Sequence, residues 1–274
     1  MTTDGERSLA RDPFPLRGRT ALVTGVSRRQ GIGFAIASRM AAWGASVFLH
    51  HHRPHDVAQP WGADDLDEVR AGVAGHLSSS ARIADAAGDL AGPDEPARLV
   101  RRAVDEFGRL DVLVCNHARN GSDGALGELD AAKLDGHWAV NTRSSILLAQ
   151  EFAAVRGGSP GGRVVFLTSG QRAGPMPEIA YAAAKGALAE ITLTIAEQLA
   201  DSGITVNTVN PGPVQTGYLT EEHWATIGHM FPFGRWGEPD DPARLITWLC
   251  TDEARWITGQ VIESEGGFAR YRQR

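Results

Sequence analysis

Short apolar runs alternate with longer stretches of helical spacing along almost the whole chain. Residues 19–24 (RTALVT), 46–50 (SVFLH), 110–115 (LDVLVC), 163–168 (RVVFLT), 204–209 (ITVNTV) and 260–263 (QVIE) are rich in aliphatic and β-branched side chains. They do not alternate apolar with polar, which is the pattern of strands covered on both faces. Over residues 31–43, Ile32, Ile36, Met40 and Trp43 recur near one helical stripe. Helical spacing returns over 95–107, 128–155, 178–199 and 239–250. This succession predicts an α/β fold, a doubly wound parallel sheet with helices on both faces. No repeat of fixed period and no long linker interrupts it. A single domain is expected over 18–274, behind a tail or surface arm at 1–17.

The least regular piece is 53–81, with Pro54, Pro60, Trp61, Gly62 and an acidic run at 64–68. One helix and a long connection are expected there, with a further strand near 82–87.

Composition narrows the function. In 274 residues, 42% are hydrophobic and 22% charged, as in an ordinary globule and unlike a disordered chain. The formal charge of −6 argues against nucleic acid as a partner. Only Cys115 and Cys250 occur, too few for a disulfide framework, and a cytoplasmic location is expected. The first residues are polar with no apolar leader, and no stretch of 18 apolar residues occurs, so no membrane association is expected.

Two motifs carry chemistry. The first is TGVSRRQGIG, residues 24–33, between the first strand and the first helix. Glycines there let the backbone turn and approach a pyrophosphate, and the helix amino end offers free N–H groups. A tight turn without a ligand is the plainer reading of the glycines alone. The second is the YAAAK stretch, with Tyr181 and Lys185 four residues apart. On a helix they share a face, and an ammonium beside a phenol favours the phenolate, which suits a general acid or base. Taken alone, the pair also reads as a surface helix pair. Ser169 lies twelve residues earlier, at the end of an apolar run where open α/β sheets place their sites.

With CNHA at 115–118, Asn141, the Asn210, Pro211, Gly212 turn and ITGQVIESEGGF at 257–268, the chain resembles the short-chain dehydrogenases/reductases over about residues 17–268. Within them it is most similar to the one-domain, 3-oxoacyl-carrier-protein reductase type. The resemblance implies a Rossmann fold and an NADP(H)-dependent oxidoreductase acting between a ketone and a secondary alcohol. It implies that Ser169 binds the substrate oxygen, Tyr181 exchanges the proton, Lys185 binds the nicotinamide ribose and depresses the tyrosine pKa, and Asn141 holds a water relaying protons to Lys185. Gly25, Ser27, Gly31 and Gly33 would lie under the cofactor and Ile32 behind the nicotinamide. Asp89, or a helix-start aspartate on the plainer reading, would meet the adenine beside Leu90. Asn116 would support the sheet, and Pro211, Gly212, Val214 and Thr216 would meet the carboxamide and phosphates. Family helices matching 128–155 and 178–199 pair with their own copies, so a homotetramer or homodimer is expected, with Ile146, Leu147, Leu188 and Ile191 on the apolar faces.

Departures from the family pattern matter. Five residues separate Gly25 from Gly31, where three are common. That spacing resembles the enoyl reductases, which however carry the tyrosine and lysine seven apart. His117 either touches ligand or packs as a neutral ring. The serine-to-tyrosine spacing is one short, which leaves Thr168 as a rival to Ser169; the strand-to-turn alignment favours Ser169. Arg28 and Arg29 in the loop and Arg53 after the second strand suit the 2′-phosphate of NADP(H), and the first acid, Asp56, lies too far on to oppose it. The run His50, His51, His52 alternates faces along a strand, so no metal site is expected. Residues 216–234 match the family's substrate lid, with Tyr218, Trp224, His229, Met230, Phe231 and Phe233 available to cover a hydrophobic carbonyl substrate. Two other readings stand beside this one: a dinucleotide-sensing protein without turnover, and a non-redox member of the family.

Overall fold

The computed structural model describes residues 12–170 and 178–269. Its centre is a parallel sheet of seven strands in the order β3-β2-β1-β4-β5-β6-β7. The strands are β1 (Thr20–Val23), β2 (Ser46–His51), β3 (Ile83–Ala87), β4 (Val112–Cys115), β5 (Gly162–Leu167), β6 (Ile204–Asn210) and β7 (Val261–Glu263). β1, β4, β5 and β6 are buried along their whole length, as their unbroken apolar runs predict. β3 and β7 close the two edges and are partly exposed, which explains the weak signal of IADAA.

Successive strand side chains point to opposite faces, and this sorts the core into two layers. Ala21, Val23, Val47, Val165 and Val209 face α1 (Ile32–Ala42), α3 (Leu66–Ala74) and α9 (Asp240–Leu249), through Ile36, Met40, Val69, Val73 and Ile246. Leu22, Leu113, Val164, Phe166 and Val206 face α4 (Glu95–Phe107), α6 (Ser144–Arg156) and α7 (Ile179–Ala200), through Leu99, Phe152 and Leu188. Strand order reverses between β1 and β4. Outside the carboxyl ends of such a pair lies the crevice where ligands bind in open α/β sheets. Leu16 is wholly buried and its amide donates to the Trp43 carbonyl at 3.0 Å, so the amino-terminal arm joins the core before β1.

Several elements differ from expectation. The helical stretch at 128–155 is broken into α5 (Ala131–His137), a π-helical turn (Trp138–Arg143) and α6. Residues 53–81 hold two helices, α2 (Arg53–Val57) and α3, because Pro54 starts a turn directly after β2 and Asp65 caps α3 through the amides of Asp67 and Glu68. The lid region contains α8 (Glu221–Ile227), begun by a capping box of Thr220 and His223. Its aromatics are engaged with one another: Trp224, Phe231, Trp236 and Phe268 stack at centroid distances of 4.7 to 5.6 Å. They form a small core of their own, which leaves Tyr218 and Phe233 as the more exposed lid aromatics. Helix α7 is long and apolar enough by composition to cross a bilayer, yet it lies along the sheet and carries the buried Lys185. Leu188 on it is buried in the core, and Ile191, partly buried, packs against that core.

Candidate active site

The glycine loop is built by close packing. Asn116, just past β4, donates its side-chain amide to the carbonyls of Thr24 (3.0 Å) and Gly25 (3.1 Å), tying the end of β1 to that of β4. Gly25 has φ +73°, and a Cβ there would stand 2.8 Å from the His117 Cα. A Cβ on Gly33 would press into the Gly25 carbonyl and reach 2.6 Å from the Asn116 amide. Gly31 caps α1 without any side-chain bond, and the first turn of α1 holds no acid. Its amides and positive dipole end are therefore free to receive an anion. Ile32 opens the helix, half-buried against the core.

A cavity of about 230 Å³ adjoins this loop, lined among others by Gly25, Ser27, Asp89, Leu90 and Asn116. The glycine cradle, the uncapped helix and this cavity fit a dinucleotide. Asp89 accepts from the Ala91 amide at 2.9 Å, so it also acts as a turn former. His50 lies beneath the cavity. The Gly25 amide donates to its Nδ1 (3.3 Å), and its Nε2 bonds the Gly88 carbonyl (3.0 Å). Burial pushes its pKa down to about 4, so the ring is neutral. Beyond the turn, Gly212 holds φ +64° against Glu265, and Val214 is buried.

The basic residues are distributed differently from expectation. Arg28 donates to the Thr216 carbonyl, stacks over Trp61 at 5.3 Å and stands 3.9 Å from Asp56. The two extra loop residues thus carry Arg28 to the lid. Arg29 and Arg53 both meet Asp64, Arg29 through its backbone amide (2.6 Å) and Arg53 through Nε to the carbonyl (3.4 Å). The expectation that no acid stands near this end of the cofactor cleft is corrected. α2 turns the chain back so that His52, His55 and Asp56 line the cavity, and Ser27 Oγ donates to Asp56. In sequence, only the proline directly after β2 hinted at this. Among the described residues, no group of three or more His, Cys, Asp or Glu is placed to hold a metal ion.

At the carboxyl end of β5, Ser169 hydrogen-bonds the Tyr181 side chain, while Thr168 Oγ1 donates to the Lys185 carbonyl at 2.7 Å. Lys185 is 2% exposed, and its Nζ donates to the carbonyls of Leu167 (3.0 Å) and His117 (3.3 Å). Burial pulls its pKa down to about 8, against an opposing effect of Cys115. The Tyr181 phenol is pushed upward by burial, with Tyr218 and Glu178 adding to the shift and Ser169 opposing it. The direction is thus opposite to the expected depression: burial outweighs the other effects on the phenol, while the Lys185 ammonium donates to the two carbonyls.

Asn141 sits in the π-helical turn, wholly buried. It accepts from the Arg119 amide (2.6 Å) and donates to the Arg119 carbonyl (3.0 Å). His117 is a packed ring: Nδ1 bonds Thr24 Oγ1 (2.7 Å) and Nε2 bonds the Val140 carbonyl of the π-helical turn (3.0 Å). It nevertheless also borders the cavity. Residues 171–177, which precede Glu178, lie outside the described residues.

A parallel sheet reversing at β1 and β4, a glycine cradle and a Ser–Tyr–Lys set together define a dinucleotide-dependent oxidoreductase site, and the chain belongs to the short-chain dehydrogenase/reductase family. A family model described as Enoyl-(Acyl carrier protein) reductase matches residues 25–269. YjdA of Bacillus subtilis, named an uncharacterized oxidoreductase, is 40% identical over 257 residues, which cover 92% of this chain and 97% of that protein. A chloroplastic NADPH-dependent aldehyde reductase-like protein of Arabidopsis thaliana is 31% identical over 269 residues, covering 95% and 98%. Among solved structures, a short-chain dehydrogenase/reductase of Serratia marcescens superposes with a TM-score of 0.79 at 32% identity, covering 93% of this chain and 99% of that one.

Proposed function

We propose that this chain is an NADP(H)-dependent carbonyl reductase or alcohol dehydrogenase acting on a small ketone or its secondary alcohol, with Tyr181 as general acid or base. The observation that carries the reading is the bond between Ser169 and the Tyr181 phenol beside the glycine cradle, with the buried Lys185 one turn further along α7. Ser169 orients and polarises the substrate oxygen. Burial keeps the phenol of Tyr181 protonated, the form that donates in reduction. Lys185 contributes positive charge beneath the site at neutral pH, and Asn141 shapes the turn through which protons are resupplied. A bound nicotinamide supplies or accepts the hydride, chemistry that belongs to the cofactor. The four-residue tyrosine-to-lysine spacing favours a carbonyl over an enoyl substrate.

For the cofactor, Arg29 and Arg53 favour the 2′-phosphate, in line with the NADPH named for the Arabidopsis relative. A charged hydrogen bond contributes about 1.5–3 kcal/mol, roughly tenfold or more in preference. One observation favours NAD(H) instead, the Asp56 carboxylate on the cavity wall. Initial rates with NADPH and NADH over a panel of ketones, aldehydes and enones decide. The proposal expects ketone or aldehyde turnover, with NADPH ahead by about tenfold in kcat/KM. Equal or reversed preference assigns the ribose to Asp56, turnover of enones alone contradicts the carbonyl reading, and binding without turnover makes the chain a sensor. We further propose a cytoplasmic homotetramer or homodimer. The exposed Leu134 and Trp138, with Ile179 and Leu193 of α7, supply apolar surface for a second copy, and a monomer mass by light scattering at all concentrations would contradict it.

A further inference from the structure

Helix α7 carries both Tyr181 and Lys185, so the position of its first turn sets the position of the phenol. A helix begins with amides that have no partner inside it, and a neighbouring side chain usually fills that need. Glu178, at the capping position, makes no side-chain bond to the helix. The partners come instead from the loop between β4 and α5, more than fifty residues earlier in the chain. The Gly124 carbonyl receives the Ile179 amide at 3.4 Å. Asp123 Oδ1 receives the Ala180 amide at 3.0 Å, and Asp123 Oδ2 receives the amide of Tyr181 itself at 2.7 Å. The Ala182 amide then finds the Glu178 carbonyl at 2.9 Å, and the regular ladder takes over.

The carboxylate is itself held in place. Its side chain is 5% exposed, and its Oδ1 also accepts from the Gly124 amide at 2.8 Å. The His137 ring lies between this loop and the tyrosine. Its Nε2 bonds the Gly121 carbonyl at 3.0 Å, its Nδ1 stands 3.4 Å from the Asn141 side-chain amide, and it meets the Tyr181 ring in a T-shaped contact at a centroid distance of 6.1 Å. Burial alone would raise the Asp123 pKa, but the amides of Tyr181, Ala180 and Gly124 outweigh it and hold the group ionised. A negative charge at a helix amino end is also favourable toward the dipole.

We propose that Asp123 is a positioning residue for the reaction: by capping α7 from a separate loop it fixes the place of Tyr181 relative to Ser169. The proposal rests on Tyr181 being the proton donor, which Tyr181→Phe tests by itself. A displacement of about 1 Å at such a group lowers turnover by up to about 10²-fold.

The test is a double-mutant cycle read by single-turnover rates on a carbonyl substrate, with cofactor affinity from fluorescence titration. Asp123→Ala is expected to lower the rate about 10- to 100-fold in the native background while cofactor affinity stays within about threefold. In the Tyr181→Phe background the same change should cost less than about threefold, because no phenol remains to be misplaced. Asp123→Asn keeps one accepting oxygen, so it should restore most of the rate, leaving a loss of about two- to tenfold. That variant carries the test alone should Asp123→Ala not fold, with an unaltered rate then counting against the proposal. An Asp123→Ala rate within about threefold of native, or an equal loss in both backgrounds, overturns the assignment. Full activity of Tyr181→Phe alone overturns instead the reading of Tyr181.

Discussion

At the scale of single residues, two neighbouring hydroxyls have been given different work. The Thr168 side chain bonds the Lys185 carbonyl, and the Ser169 side chain bonds the Tyr181 phenol. Ser169→Ala should therefore raise the barrier by roughly 2–4 kcal/mol, as the loss of an oriented donor to a reacting oxygen does. Thr168→Val should mainly cost stability, about 0.5–1.5 kcal/mol, with kcat little changed. Steady-state rates and denaturation curves of the two variants check this, and the reverse ranking would move the role to Thr168. The grouping of Ser169, Tyr181 and Lys185 was legible in the sequence because they stand at short spacings on one strand end and one helix. Asp56 and Asp123 were not. Asp56 reaches the cavity only because α2 turns back, and Asp123 meets the Tyr181 amide across 58 positions of sequence. Arg28 was legible as a basic loop residue, but not its direction, which depends on where Trp61 and Thr216 stand.

At the scale of elements, the strands and long helices follow the apolar pattern because each buries a full face or stripe against the sheet. The π-helical turn at Trp138–Arg143 left no such mark, since its one-residue expansion is held by bonds from elsewhere, among them those of His117 to Val140 and of Thr142 to the Ala184 carbonyl. The glycine loop is constrained most tightly at Gly33, where α1 meets the end of β1. Gly33→Ala should force the helix away from the Gly25 carbonyl and Asn116. Overpacking of this kind costs about 1–3 kcal/mol, and the cradle amides should move with it. The expected result is a lower melting temperature together with cofactor affinity weakened about tenfold or more. Native affinity in a calorimetric titration would show that the loop can give way without disturbing the cradle.

At the scale of the whole molecule, buried neutral histidines tie stability to pH. His50 has its pKa lowered from 6.5 to about 4, first by burial, and His117 is shifted in the same direction by burial and by Lys185. Each folded-state value lies below the unfolded one, so unfolding takes up protons below pH 6.5. The stability they contribute is fully present above about pH 6.5 and is lost as pH falls toward about 4 for His50. A fully shifted group contributes a slope of about 1 kcal/mol per pH unit in that window. His50→Gln should flatten the slope of unfolding free energy between pH 6.5 and 4.5, measured by denaturant titration at several pH values. An identical slope in the variant would place the acid sensitivity elsewhere.

The central claim is that a half-buried tyrosine, Tyr181, bonded to Ser169, passes the proton in a dinucleotide-dependent carbonyl reaction. The most direct test compares the native chain with Tyr181→Phe, following NADPH oxidation with a turned-over ketone and NADPH binding in the same preparation. The phenylalanine keeps the ring packing against His137 and removes only the hydroxyl. The account expects kcat to fall by about 10²- to 10⁴-fold with NADPH affinity essentially kept. Near-native kcat in the variant would contradict it.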